Sequence, residues 1–298
     1  MFEKCPFCNS NNVKLKREIV SPLNNKKYFH YYCKNCELEF FTPLIFENVY
    51  SNEKFNAYEY FHKGREDVPE WTKNVISILK KLNISLKNKK ILEIGAGDGI
   101  NFVAFKKEYT ILNTNYYVVE LDEKSTEVCR ERGINNIINN FFNKQILDKI
   151  NTKFDVILCF EVLEHQINPK EFLDTCFELL KEDGLIIITV PNREMSFHKY
   201  KEIPGDIPPH HFLRFNKKFF EKNFKNNLVY VGIHRFKNKT IIGTCKVLCK
   251  RILKTSKLWY LFIPMSLIIR LFDMIAGENL IVILKKNKSE NHETPVPN

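Results

Sequence analysis

The run Leu92-Glu93-Ile94-Gly95-Ala96-Gly97-Asp98-Gly99, an apolar strand breaking into glycines that lead into a helical stretch, constrains this 298-residue chain more than any other feature. Small residues at such a strand-to-helix turn let a ligand approach the backbone where bulkier side chains would block it. From residue 90 onward short apolar runs alternate with amphipathic ones, the pattern of βαβ units and a largely parallel sheet. Strands are expected near residues 90–94, 116–120, 136–139, 154–159 and 185–190, with helices at 100–108, 123–132 and 169–181. A further helix at 216–223, a strand at 228–235, a long helical stretch at 242–276 and a last strand at 280–285 should follow. Trp71, Val75, Ile78, Leu79 and Leu82 recur at helical spacing and predict a helix leading into this unit.

Glu120 closes the expected strand 21 residues beyond Gly99, where a carboxylate can accept hydrogen bonds from both hydroxyls of a ribose. A plain tight turn would produce the same glycines, so the acidic partner is what points to a nucleoside. Dinucleotide sites favour G-x-G-x-x-G, with amides and a helix dipole on a pyrophosphate. Here the third glycine comes one position early and Glu93 stands two residues before the first. A carboxylate beside the loop suits an ammonium group, which favours S-adenosylmethionine over NAD.

Two later motifs follow in order: Phe154-Asp155-Val156-Ile157 leading to Glu161-Val162-Leu163-Glu164-His165, and Pro191-Asn192-Arg193. With the glycine run, they make the chain resemble class I methyltransferases of the ubiquinone-biosynthesis O-methyltransferase type over roughly residues 70–240 and the last strand. The resemblance implies a Rossmann-like α/β fold: a seven-stranded, mostly parallel sheet with helices on both faces and an antiparallel last strand. It further implies that Glu93, Gly95 and Gly97 surround the methionine part of the donor, that Glu120 meets its ribose, that Asn140 and Phe141 flank its adenine, that Phe160 lies beside it, and that Ala96, Gly99 and Leu121 belong to the same cofactor site. Two departures stand out. Asn140 occupies a position where the family usually has Asp, although an amide can still bond an adenine amino group. Glu182-Asp183-Gly184 replaces a Pro-Gly-Gly turn.

Ahead of this unit Cys5-Pro6-Phe7-Cys8 and Cys33-Lys34-Asn35-Cys36 form two C-x2-C pairs separated by 24 residues. Four thiolates so arranged suit one tetrahedral Zn²⁺ in a closed, structural site, and a module of this size could hardly fold without it. The spacer exceeds the ~15–20 residues common in such sites, as a lengthened hairpin allows, and four free thiols remain the alternative. Val13 to Val20 and Lys27 to Tyr32 are the expected strands of this β module. Asn9 can take the left-handed turn that follows a knuckle's second Cys, and Glu37 does so less readily. Of the remaining cysteines, Cys129, Cys159 and Cys176 are expected to be small core residues, and Cys245 and Cys249 lack a second pair.

Methyl transfer is an in-line displacement from an activated sulfonium, so the protein mainly aligns the acceptor, and a base is needed only for a weak nucleophile such as a hydroxyl. His211, in Pro208-Pro209-His210-His211-Phe212-Leu213-Arg214-Phe215, is the first candidate, His165 the second, and Glu161 the carboxylate His165 would orient; His210 is a fallback. His30, His62, His198 and His234 are assigned to packing or surface.

The division expected is a ribbon at 1–45, a Tyr-rich bridge and leading helix at 46–89, the core at 90–240, a helical insertion or lid at 241–278, the last strand at 279–286 and a disordered tail at 287–298. Within the insertion, Lys246, Lys250, Arg251, Lys254 and Lys257 precede an apolar run from Leu258 to Ile269 that includes Trp259. Twelve residues are too few to span a bilayer. They suit a buried helix over the substrate pocket or a dimer face, or a peripheral membrane contact. Met1 to Cys8 shows no secretory pattern, so the cytoplasm is the expected location. Zinc-ribbon modules ahead of this methyltransferase type resemble those of sugar methyltransferases or of zinc-finger rRNA guanine methyltransferases, and the stretch Cys36 to Tyr60, with Phe40-Phe41-Thr42-Pro43, Tyr50 and Tyr58-Glu59-Tyr60, looks more like the first. A methyl transferase for a hydroxyl of a small, carbohydrate-like acceptor is therefore expected. The net charge of +11 keeps an RNA-base methyltransferase as an alternative, and a non-catalytic S-adenosylmethionine-binding protein is a third.

Overall fold

The computed structural model describes residues 3–45, 67–194, 206–234, 257–258, 260 and 279–288. In chain order the elements are β1 (Val13–Val20), β2 (Lys27–Cys33), β3 (Glu39–Thr42), α1 (Glu70–Lys81), β4 (Ile91–Ile94), α2 (Ile100–Tyr109), β5 (Tyr116–Glu120), α3 (Glu123–Glu131), β6 (Asn136–Asn139), β7 (Phe154–Phe160), α4 (Pro169–Leu179), β8 (Leu180–Pro191), β9 (Leu213–Arg214), α5 (Lys217–Asn223), β10 (Leu228–His234) and β11 (Asn279–Lys285). The Tyr-rich bridge from 46 to 66, most of the stretch at 242–276 including Trp259, Cys245 and Cys249, together with His62, His198 and the tail from 289, lie outside the described residues.

Seven strands form the larger sheet in the order β10-β11-β8-β7-β4-β5-β6. β6, β5, β4, β7 and β8 run parallel, and β11 inserts antiparallel between β8 and β10, as the resemblance implies. The central strands read as continuous apolar runs because both faces are covered. Alternate residues divide between two cores. Leu92, Ile157, Ile186, Ile188, Leu280 and Val282 pack with Phe172, Cys176 and Leu179 of α4 on one face. Ile91, Val156, Leu158, Ile187, Ile281 and Ile283 pack with Val75, Ile78 and Leu79 of α1 and Phe102 and Phe105 of α2 on the other. Cys129, Cys159 and Cys176 are fully buried, in keeping with a packing role.

Element ends shift where local chemistry intervenes. Asn216 stands before α5 as its cap, its side-chain oxygen accepting the Phe219 N–H at 2.9 Å, and Asp122 caps α3 by accepting from Ser125. α4 stops at Leu179, two residues short of expectation, because Leu180 pairs with Phe154 and opens a longer β8. Leu82, expected on the apolar stripe of α1, lies past the helix end and is exposed.

The N-terminal β module forms its own sheet, β1-β2-β3, but the fourth strand is β9, from beyond residue 210. β3 pairs antiparallel with it, Glu39 opposite Arg214 and Phe40 opposite Leu213. Cys33, Cys36, Leu38, Phe40 and Phe41 share a core with α4, Phe219 and Phe220. Phe7 meets Phe219 edge-on at 4.8 Å, and Asn223 Nδ2 donates to the Cys36 carbonyl at 2.9 Å. The ribbon is thus packed onto the same face of the sheet as α4 and α5.

Candidate active site

At the donor end the chain rises through β4, turns at Gly95 to Gly99 and enters α2. Gly95, Gly97 and Gly99 have φ of +68°, +55° and +72°, the left-handed region open to glycine. A Cβ on Gly99 would stand 3.0 Å from Ile134 Cδ1 and 3.1 Å from Cys129 Sγ, so the backbone there also sits close against α3 and the segment after it. Asp98, which was given no role from sequence, accepts from the Ile100 N–H at 3.3 Å at the start of α2 and pairs with Arg132 at 3.0 Å.

Glu120 leaves β5 at the same level. One carboxylate oxygen accepts the Gly97 N–H at 2.8 Å, and the other accepts from Leu121 and Asp122 at 2.8 and 3.0 Å. Three backbone donors therefore orient the carboxylate beside the glycine loop. Burial pushes its pKa up and those donors oppose the shift. The left-handed glycines and the amide-held carboxylate fit the nucleoside and amino-acid parts of S-adenosylmethionine.

Glu93 takes a different place. It is fully buried, with Asn101 Nδ2 donating to Oε1 and Tyr116 O–H to Oε2, both at 2.7 Å, and Asn101 in turn accepts from Thr72. Burial raises its pKa to about 7 against the pull of those two donors. Each carboxylate oxygen thus accepts one side-chain donor, which fixes the carboxylate directly below the glycine loop. Phe160, likewise expected beside the donor, is 5% exposed and packs against Phe105 at a centroid distance of 6.1 Å. Asn140 and Phe141 stand half-buried past β6, the Asn140 Oδ1 accepting the Phe141 N–H at 2.7 Å and retaining one lone pair for a ligand.

A second group of candidate side chains gathers at the carboxyl ends of β7 and β8. Glu161 has φ +57°, which turns its side chain back to accept from Thr189 Oγ1 at 2.8 Å and Asn279 Nδ2 at 2.7 Å. Burial raises its pKa to about 7. The next turn brings His165 against the loop that carries His210 and His211. His165 Nδ1 donates to the His210 carbonyl at 2.7 Å, and its ring lies 4.6 Å from His210 and 4.7 Å from His211. The ring nitrogens of the three fall within 4.8 Å of one another, close enough for one bound group to reach all of them. Burial holds His165 well below the usual range and His210 at about 4, so both are neutral at pH 7.

Three groups here escaped the sequence reading. Glu164 is buried, both carboxylate oxygens lacking a hydrogen-bond partner among the described residues, and one stands 3.9 Å from Nε2 of both His165 and His211. Burial and the nearby Glu161 push its pKa far above the carboxylate range, which makes it a neutral acid. Asp206 accepts from His211 Nδ1 at 2.9 Å, and Arg214 pairs with its other oxygen at 2.9 Å. Nothing in the spacing of Asp206 and Arg214 around His211 distinguishes these two from ordinary loop charges.

Beyond the cleft, the four cysteine sulfurs gather within 4.8 Å, with Cys5 to Cys36 at 3.4 Å and Cys8 to Cys33 at 3.5 Å. These distances exceed the ~2.05 Å of a disulfide and suit thiolates around one ion at ~2.3 Å. Asn9 and Glu37 both adopt the left-handed turn after their knuckles, φ 55° and 71°. Glu37 is held there by Arg193, which donates to its carbonyl and pairs with its carboxylate at 3.5 Å. The cluster fits zinc. His30 is buried in a stack on Phe41 and paired with Glu39 at 3.0 Å, and His234 meets the Tyr230 hydroxyl at 2.9 Å. No helix among the described residues is long and apolar enough to cross a membrane.

A family model described as "Methyltransferase domain" matches residues 61–227, more than half of the chain, and the chain belongs to that family. Two relatives are ubiquinone biosynthesis O-methyltransferases: one from Glaesserella parasuis, 34% identical over 116 residues, and one from Coxiella burnetii, 29% identical over 120. The matches cover 36% and 39% of this chain and 48% and 50% of theirs, so the chain spans about half the length of these curated relatives. The crystal structure of a SAM-dependent methyltransferase from Archaeoglobus fulgidus superimposes with a TM-score of 0.50 at 18% identity, covering 79% of this chain and all of that one, and so shares the fold.

Proposed function

We propose that the chain transfers the methyl group of S-adenosylmethionine to a hydroxyl of a small acceptor, a sugar or sugar-like metabolite. The observation that carries this reading is the histidine cluster just past the carboxyl end of β7, where His211 Nδ1–H is held by Asp206 and Nε2 stands 3.9 Å from Glu164. A hydroxyl is a poor nucleophile, and an imidazole oriented in this way can take its proton as the methyl group arrives. His165 and Glu161 shape the same end, and Glu120 with the glycine loop holds the donor. The relatives named as O-methyltransferases support a hydroxyl acceptor.

The four cysteines are read as a structural zinc site, and the divisions at 45, 89, 240, 278 and 286 as the boundaries of ribbon, bridge, core, insertion, last strand and tail. Zinc measured per purified chain should approach one; a value near zero with folding indifferent to chelator removes the metal.

The function is tested with labelled S-adenosylmethionine and a panel of nucleotide sugars. His211→Ala should lower turnover by roughly 10²–10⁴-fold. Full turnover in His211→Ala with loss in His165→Ala would exchange their roles. The charge of +11 favours one rival, an RNA-base methyltransferase, which predicts label in RNA and an affinity that falls steeply with salt. Sugar methylation at the same rate in high salt would exclude that rival.

A further inference from the structure

We infer that Arg214 and Asp206 are positioning residues for His211, and that the four-cysteine ribbon holds them as a built-in wall of the acceptor end. The inference rests on the reading of His211 as the group that meets the acceptor.

An ionised carboxylate can only accept, so His211 carries its proton on Nδ1, facing Asp206 Oδ1 at 2.9 Å, and leaves Nε2 as the accepting nitrogen, 3.9 Å from Glu164. A carboxylate 6% exposed keeps its charge only with a partner. Arg214, equally buried, supplies it: its guanidinium stands 2.9 Å from the other Asp206 oxygen and donates to the Asp206 carbonyl at 3.0 Å. The order Arg214, Asp206, His211 therefore sets which ring nitrogen is free.

What places Arg214 is the ribbon. It lies on β9, opposite Glu39 of β3, with its guanidinium over the Phe41 ring at 5.1 Å. The loop between Asp206 and Arg214 is tied to the same module twice more: Ser21 Oγ donates to the Pro208 carbonyl at 2.6 Å, and Phe41 N–H to the Phe212 carbonyl at 2.9 Å. From the opposite side Phe212 N–H donates to the Glu164 carbonyl at 3.0 Å. The histidine loop is thus clamped between the ribbon and the turn that carries Glu164 and His165. Cys36, three residues before Glu39, links the metal knuckle directly to this clamp.

The test reads the His211 ring itself, by ¹⁵N NMR of the imidazoles in the full zinc-loaded chain, with S-adenosylhomocysteine affinity as the control for the donor end. The unaltered protein should show His211 as the Nδ1–H tautomer. Arg214→Gln should lose or mix that signature and Arg214→Lys should largely keep it, while S-adenosylhomocysteine affinity changes by no more than about twofold, as expected of separate sites. Removing zinc with a chelator should act as Arg214→Gln does. Should Arg214→Gln also lose the donor analogue through misfolding, Ser21→Ala, which removes one tie of the clamp, must still disturb the ring. An unchanged His211 signature in Arg214→Gln, Ser21→Ala and the chelated protein overturns the inference. Donor affinity that collapses together with the ring on chelation overturns the ribbon's selective role. Failure to methylate any sugar would sink the acceptor reading and leave the ring measurement standing.

Discussion

At the proposed donor end the groups come from one stretch of chain: β4, the glycine turn, the start of α2 and the end of β5, with Gly97 reaching Glu120 across 23 positions. At the proposed acceptor end they come from three: the turn at Glu161 to His165, the loop from Asp206 to Arg214, and a ribbon whose Ser21 bonds Pro208 across 187 positions. The first is a loop set by local backbone geometry. The second exists only when distant segments pack. The donor end should therefore tolerate damage to the ribbon, and the acceptor end should not.

The harshest test of this contrast is the proposed zinc site of the ribbon. Cys33→Ser, or zinc removal, opens a core that the ribbon shares with α4 and α5, and calorimetry should show a loss of several kcal/mol, on the order of 10 °C in Tm. An unchanged Tm would mean the ribbon is an independent appendage.

On the donor side, Glu120→Ala removes a carboxylate poised for the ribose hydroxyls. Hydrogen bonds to a charged group contribute about 1.5–3 kcal/mol each, so S-adenosylhomocysteine affinity should fall by a hundredfold or more in calorimetric titration, roughly. The His211 ring signature should be unaffected.

Buried titrating groups stand at both ends, Glu93 beside the glycine loop and Glu161 at the histidine cluster, and Glu93 gives the cleaner test. Burial raises the folded-state pKa of Glu93 to about 7, above its unfolded value, so its contribution is fully present below about pH 4.5 and is lost as pH rises through 7. The difference amounts to about 3 kcal/mol at most. Glu93→Gln should flatten the fall in denaturant-measured stability between those limits, and an equal slope in both proteins would remove Glu93 as its source. The smallest effect is expected from Ser21→Ala, about 1 kcal/mol of stability, with donor affinity unchanged.

Much of the fold was legible because its signals are local. The apolar runs of β4, β5, β7 and β8, the Pro169 that opens α4, and the spacing from Gly99 to Glu120 each reflect backbone or burial requirements within a few dozen residues. The paired C-x2-C knuckles likewise announce a four-sulfur cluster. Less was visible where partners are remote. The spacing of Glu93 gives no sign of the Tyr116 and Asn101 donors that hold its two oxygens. The spacing of Phe160 gives none of the Phe105 ring that packs against it. Arg214 reads as a surface charge until β3 pairs with its strand.

By itself the sequence determined a mostly parallel α/β sheet, a glycine-rich strand-to-helix loop and a four-cysteine knuckle pair, because each depends on residue types at fixed short spacings that φ, hydrogen bonding and hydrophobic period impose. Only the tertiary structure decided that the ribbon sheet takes β9 as its fourth strand, that Asp206 and Arg214 stand behind His211, and that Glu164 is buried without a hydrogen-bond partner among the described residues. Those relations follow from which surfaces exclude water when the chain packs, and no short-range spacing encodes them.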